Sequence, residues 1–280
     1  MTKHSSKTLA QLKAIKHFAL DMDGTIYNGS TLFPFTNNFL NYLKANGIGY
    51  SFLTNNPSKS TTDYLKHLEK MGIPATKEEM YTSAVATIDY LKLNFPHYRR
   101  LFLLGTPSMI AEFEKAGYIS TADSADEKPD ALIVAFDRSL SYNRLCRAAY
   151  WAKENIPYIA TNPDWVCPTD EPNVLVDCGA ICACIEAATK RKPDVVIGKP
   201  DPRMLTGIIA EKGLQAHEIA MVGDRIYTDV MTAMNAGGMG ILVLSGEATE
   251  NDVEQSTVKP HLVAENLAEI QQLLEEAHRH

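Results

Sequence analysis

An α/β fold, with a mostly parallel sheet covered by helices on both faces, is predicted for this chain by three observations. Apolar strand-like runs alternate with stretches of helical periodicity along most of the sequence. Asp21, Thr54 and Asp224 each directly follow an apolar run, and in a parallel sheet such strand ends open on the shared edge where ligands bind. At 280 residues the chain is long enough for two domains, or for one domain with an insert.

The elements follow in order. Residues before Lys16 read as a lead-in helix, and the first strand covers 18–21. Thr36, Asn37 and Asn38 suit a helix cap, Phe39, Leu40 and Leu43 recur at helical spacing, and Gly47 suits the stop. A second strand over 48–53 ends at Thr54, Asn55, Asn56 and Pro57. The next helix starts at 60–63, carries Tyr64, Leu65 and Leu68, and stops at Gly72. Further helices are expected over 83–93, 108–115, 142–153, 179–189, 202–212, 227–235 and 262–276, and strands over 100–104, 130–135, 157–160, 219–223 and 240–244. Residues 162–173 read as a Pro-rich, acidic loop.

Composition narrows the partners. A hydrophobic content of 45% with 22% charged residues describes an ordinary globular protein. The formal charge of -7 and the absence of clustered Lys and Arg argue against nucleic acid as a partner. The first seven residues lack the apolar core of a signal peptide, and no apolar run reaches transmembrane length. A cytoplasmic protein without membrane association is therefore expected. Five cysteines, an odd number, suit a reducing compartment. Cys178, Cys182 and Cys184 lack a His or further Cys to complete a zinc site, so they read as small buried helix residues.

The chemistry centres on Asp21-Met22-Asp23-Gly24-Thr25. Two carboxylates this close repel, so either one carries a proton or a cation sits between them. A calcium loop also begins Asp-x-Asp-Gly, but its sixth and twelfth places need Gly and Glu, and here they hold Ile26 and Leu32. Asp21, Asp23, Thr54, Lys199, Asp224 and Asp229 together offer hard oxygen ligands, one hydroxyl and one lysine. Oxygen-only ligation with room for water and phosphate suits Mg2+. Lys199 and Thr54, with its neighbouring amides, suit phosphate oxygens. Asp21 is then the candidate nucleophile, and Asp23 the acid that protonates the leaving oxygen and later deprotonates water. Each signal alone has a plainer meaning. Lys199-Pro200-Asp201-Pro202 can be a turn, Asp224 a helix cap, Asp229 a solvated helix residue, and Thr54-Asn55-Asn56 a turn.

In their order, Asp21-Met22-Asp23-Gly24-Thr25, Thr54-Asn55-Asn56, Gly198-Lys199-Pro200 and Gly223-Asp224-Arg225 with Thr228-Asp229 resemble the four motifs of the haloacid-dehalogenase-like (HAD) phosphatase superfamily. Tyr81-Thr82-Ser83, Ala160-Thr161-Asn162-Pro163-Asp164, Cys178-Gly179-Ala180 and Arg191-Lys192-Pro193 resemble its NagD-like subfamily. The resemblance implies a Rossmann-like parallel-sheet core over 1–82 and 179–280 and an inserted smaller α/β cap over 83–178. It implies Mg2+ held by Asp21, the Asp23 carbonyl and Asp224, with Asp229 as a further acid acting directly or through water. Gly24, Thr54, Asn55 and Lys199 become the phosphate-binding set. An Asp at position 23 marks the phosphatases, because the family's dehalogenases lack it and its ion pumps carry Thr. Asp164 and Trp165, in the loop from Asn162 to Asp170, are the candidate substrate-selecting residues, although Trp165 can equally be packing. The expected reaction is hydrolysis of small phosphomonoesters through an aspartyl-phosphate. Nucleoside 5'-monophosphates come first, with phosphoglycolate, pyridoxal phosphate and sugar phosphates as alternatives, p-nitrophenyl phosphate as an artificial substrate, and a phosphomutase as the rival reaction.

Overall fold

Strands rich in Val, Ile, Leu and Phe on both sides of the pleat have no face to offer water, so helices must cover both faces of the sheet they build. The computed structural model describes residues 5–56, 60–167 and 172–279. The chain forms two units: Met1–Leu53, Leu65–Tyr81 and Lys199–His280 make the first, and Thr54–Tyr64 with Thr82–Gly198 make the second.

In the first unit the His17–Asp21 strand pairs in parallel with Ile219–Gly223 on one side and Gly49–Thr54 on the other. Met239–Val243 and then Leu262–Ala264 extend the sheet beyond Ile219–Gly223, also in parallel, and Met80–Thr82 lies beyond Gly49–Thr54. Leu20 pairs with Val222 and Asp21 with Leu53, so the carboxyl ends of the central strands stop together at one edge. Phe18, Leu20, Phe52, Val222 and Ile241 are fully buried, and Phe18 meets the Phe39 ring edge-on at 5.7 Å.

Three local expectations for this unit change. Thr36 is not a cap but the first residue of the Thr36–Ala45 helix, because its hydroxyl donates to the Ile26 carbonyl at 2.7 Å. The helix expected over 262–276 divides into the Leu262–Ala264 strand and the Leu267–Arg279 helix. Asn266 makes the break, its side-chain oxygen accepting from Ala268 N at 2.8 Å. The helix expected over 227–235 begins as a wider turn over Ile226–Val230 before Met231–Ala236.

The second unit has its own parallel sheet, in the order Val195–Val196, Tyr158–Ala160, Ala131–Val134, Arg100–Leu104 and Ile119–Ser120. It extends past the boundary expected at 178, as far as Gly198, and takes in residues 54–64. The reason is packing. The Cys178–Thr189 helix buries Cys178, Ile181, Cys182 and Ile185 among Leu132, Val134, Trp151 and Tyr158, while Val195–Val196 pairs with Tyr158–Ala160. Cys178 and Cys182 share one buried face as expected, whereas Cys184 is exposed, and no disulfide links cysteines among the described residues. Val166–Cys167, inside the expected loop, pairs with Leu175–Val176, just beyond it, in a short antiparallel ladder. Pro57, Pro168, Thr169 and Asp170 lie outside the described residues. No helix among the described residues is long and apolar enough to cross a membrane.

His17 opens the central strand at 4% exposure, with Nε2 at 2.9 Å from Ser51 Oγ. Burial lowers its pKa from 6.5 to about 4, with Lys212 adding to the shift and Glu211 opposing it. The unfolded chain therefore binds a proton that the folded chain refuses, and stability falls as pH drops from 6.5 toward 4. In urea unfolding, wild type is expected to lose about 2–3 kcal/mol more than His17→Gln between pH 7 and 4.5. Equal losses in the two proteins would contradict this placement.

Candidate active site

The sheet edge of the first unit gathers residues from separate parts of the chain. Asp21 ends the central strand, Asp224 follows its neighbour Ile219–Gly223, Asp229 sits in the Ile226–Val230 turn, and Lys199 opens the unit's last segment. The Lys199 ammonium lies between two of these acids. Its Nζ donates to Asp21 Oδ1 and, at 2.7 Å, to Asp229 Oδ1. The Lys199 side chain is only 6% exposed, so this is a buried ion-pair triad rather than a surface contact.

One carboxylate oxygen from each of Asp21, Asp224 and Asp229 lies within 4.8 Å of the others. Burial raises the Asp21 pKa to about 6, helped by Asp229 and opposed by Lys199. Burial likewise raises Asp224 to about 6, with Asp21 adding, and raises Asp229. Burial works against the Lys199 charge, but Asp21 and Asp229 outweigh it and hold the ammonium above its usual range. Three acids thus share one lysine.

Their hydrogen bonds differ. Asp229 Oδ1 accepts from Lys199 and its Oδ2 from Arg225 N at 3.1 Å, so both its oxygens are engaged. Asp224 Oδ2 accepts from Glu247 N at 2.8 Å, while its buried Oδ1 has no partner among the described residues. A buried acceptor left unpaired costs about 1–3 kcal/mol. An all-oxygen donor set with one such acceptor fits a hard divalent cation. Gly24 permits the close approach of the first motif, since a Cβ there would fall 2.2 Å from Asp224 Oδ2, and its φ of +82° disfavours other residues.

The pattern of haloacid dehalogenase-like hydrolases matches residues 18–119, and that of HAD-hydrolase-like proteins matches residues 196–270. An acid sugar phosphatase of Staphylococcus aureus is 32% identical over 89% of this chain and 94% of its own length. The chain belongs to the haloacid dehalogenase-like hydrolases. Within that family it is a NagD-like phosphatase, a hydrolase of phosphoric monoesters. The 4-nitrophenylphosphatase of Thermotoga maritima superposes with a TM-score of 0.88 at 40% identity, covering 94% of this chain and 99% of that one. NagD from E. coli K-12 gives 0.82 at 31% identity, covering 91% and 98%.

The remaining expected site residues of this HAD phosphatase are placed as follows. Asp23 is exposed and accepts from Gly29 N at 3.0 Å. Thr54 and Asn55 belong to the second unit, with Thr54 Oγ1 accepting from Asn56 N at 3.2 Å. Asn55 donates through Nδ2 to Asp164 Oδ2 at 3.0 Å, and Asn162 donates to the same oxygen at 3.1 Å. Trp165 is 63% exposed, so it is not packing in the core of its unit. Ser245, Gly246 and Glu247 were missed by the sequence reading, although Leu244-Ser245-Gly246 repeats the pattern of an apolar strand ending in polar residues.

Replacing Lys199 by Met leaves Asp21 and Asp229 facing each other without their cation. Unfolding free energy at neutral pH, without divalent ions, is expected to fall by about 3–5 kcal/mol, and by less in acid where the carboxyls protonate. Urea unfolding of the two proteins measures this. Unchanged stability at neutral pH would contradict the triad.

Proposed function

We propose that this phosphatase is magnesium-dependent and hydrolyses small phosphomonoesters through a phosphoryl group carried on Asp21. The observation that supports this most is the buried contact of Lys199 with Asp21. Lys199 engages Oδ1, so Oδ2 is the oxygen offered to phosphorus. The lysine also offsets the repulsion between an anionic nucleophile and an anionic substrate.

In the first displacement, Asp21 Oδ2 bonds to phosphorus while the bond from phosphorus to the leaving oxygen breaks. Asp23 gives that oxygen its proton. Its exposure, with Oδ1 accepting from Gly29 N, suits a group that must meet both leaving group and water. In the second displacement, Asp23 takes a proton from water as the water oxygen attacks phosphorus, releasing inorganic phosphate and restoring the Asp21 carboxylate. Asp21, the Asp23 carbonyl and Asp224 would hold magnesium, which supplies charge neutralisation at the phosphate oxygens when bound. Asp229, with both oxygens accepting hydrogen bonds, holds Lys199 and would act on the cation directly or through water. Gly24 and Lys199 would hold the phosphate.

Sugar phosphates are the favoured substrate class, ahead of the nucleoside 5'-monophosphates expected from sequence. The support is the full-length similarity to an acid sugar phosphatase. The Asp164 carboxylate, engaged by two amides, is less available for a leaving group than the sequence reading supposed. A panel of sugar, nucleoside and other small phosphates ranked by kcat/KM tests this order, and nucleotides ranking first would reverse it.

Asp21→Asn is expected to abolish phosphate release with the fold intact, and Asp23→Asn to lower turnover by about 10²–10⁴-fold. Release from p-nitrophenyl phosphate with and without a chelator reads both variants and the cation. Turnover surviving in Asp21→Asn would overturn the nucleophile, and full activity in excess chelator would overturn the cation.

A further inference from the structure

The loop after the Met239–Val243 strand has no part in the steps above, yet it is tied to both ends of the acid cluster. Ser245 Oγ donates to the Gly24 carbonyl at 2.7 Å. Glu247 N donates to Asp224 Oδ2 at 2.8 Å, and Ala248 N donates to the Asp224 carbonyl at 3.1 Å. The loop passes so close that a Cβ on Gly246 would fall 2.1 Å from Asp224 Oδ2. The Glu247 side chain then turns back to the segment that carries Asp224. Its Oε2 pairs with Arg225 Nε at 2.8 Å, and its Oε1 accepts from the Tyr227 hydroxyl at 2.8 Å.

Backbone contacts alone would leave the 246–247 peptide free to rock about its two neighbours. The Tyr227 hydrogen bond, together with an Arg225 ion pair in which the buried Nε finds no aligned hydrogen-bond acceptor among the described residues, ties the Glu247 side chain to the Asp224 segment while the Glu247 N–H reaches Asp224 Oδ2. Oδ1 is left bare and in a set orientation. Magnesium demands near-ideal octahedral geometry, so a carboxylate held by one oxygen with the other presented suits it better than one free to rotate.

We infer that Glu247, gripped by Arg225 and Tyr227, is a positioning residue that orients Asp224 for the divalent cation. This rests on the reading of Asp224 as a cation ligand. The arrangement serves binding rather than bond breaking, because no Glu247 atom takes part in either displacement. Groups that orient a ligating carboxylate change metal affinity about 10–100-fold when removed.

The test titrates magnesium chloride into the cation-free, full-length protein and reads affinity from the rise in thermal midpoint. Wild type, Glu247→Ala, Glu247→Gln and Tyr227→Phe are compared. Glu247→Ala is expected to weaken magnesium binding by about 10-fold or more, with little change in the cation-free midpoint, since the Glu247 side chain is 49% exposed. Glu247→Gln, which keeps an acceptor for Tyr227, is expected to recover part of the loss. Tyr227→Phe is expected to show a smaller loss in the same direction, and it carries the test if Glu247→Ala does not fold. Wild-type affinity in Glu247→Ala, or in Tyr227→Phe where it stands in, would overturn the inference while leaving the cation reading intact. A wild-type midpoint that ignores magnesium would overturn the cation reading itself.

Discussion

A single buried ammonium organises the first unit's sheet edge. Lys199 touches Asp21 and Asp229 at once, and these acids come from the end of one strand and the turn beyond another. Two carboxylates removed from water at that spacing repel strongly, and one lysine offsets only part of their combined charge with Asp224. Burial is the main cause of the raised carboxyl values at Asp21 and Asp224, and the repulsion of a neighbouring acid adds to each. That excess of negative charge, beside an unpaired Asp224 oxygen, is the electrostatic basis for a cation. Removing the lysine would change the fold's stability and its chemistry together.

The parallel sheet makes this gathering possible. Because Leu20 pairs with Val222 and Asp21 with Leu53, the strands stop in step, and the residue after each stop is delivered to one rim. The Ser245–Glu247 segment follows the same rule one strand further out. The second unit repeats the α/β pattern on its own terms. There the polar ties run from Asn55 and Asn162 to Asp164, and from Asn162 to Asp177, which caps the Cys178–Thr189 helix. The acid and amides of that unit brace one another, which leaves the exposed Trp165 as its more open contact surface.

The fold class was readable because buried strands advertise themselves by unbroken apolar runs, as in 219–223 and 100–104, each of which forms a strand over the same residues. The acid rim was readable because Asp21 and Asp224 each directly follow such a run, and their order with Lys199 and Asp229 outweighs the plainer meaning that each has alone. Short elements were harder to see. Met80–Thr82 and Leu262–Ala264 are three residues each, too short for either period to show, and the latter was absorbed into the helix that Asn266 caps. The extent of the second unit escaped because membership is decided by what the Cys178–Thr189 helix packs against, a long-range fact with no local mark. Glu247 escaped because its backbone N–H meets Asp224 and its side chain meets Arg225 and Tyr227 only once the chain is folded, while in the sequence it reads as an ordinary exposed acid.

The central claim is that Lys199 holds Asp21 as a nucleophile, so that phosphate leaves in two in-line displacements rather than one. The stereochemical course at phosphorus tests this directly, using a phosphomonoester made chiral by sulfur and oxygen isotopes. Retention of configuration is predicted, because each displacement inverts the centre. Inversion would mean that water attacks the substrate itself, and would contradict a phosphoryl group carried on Asp21.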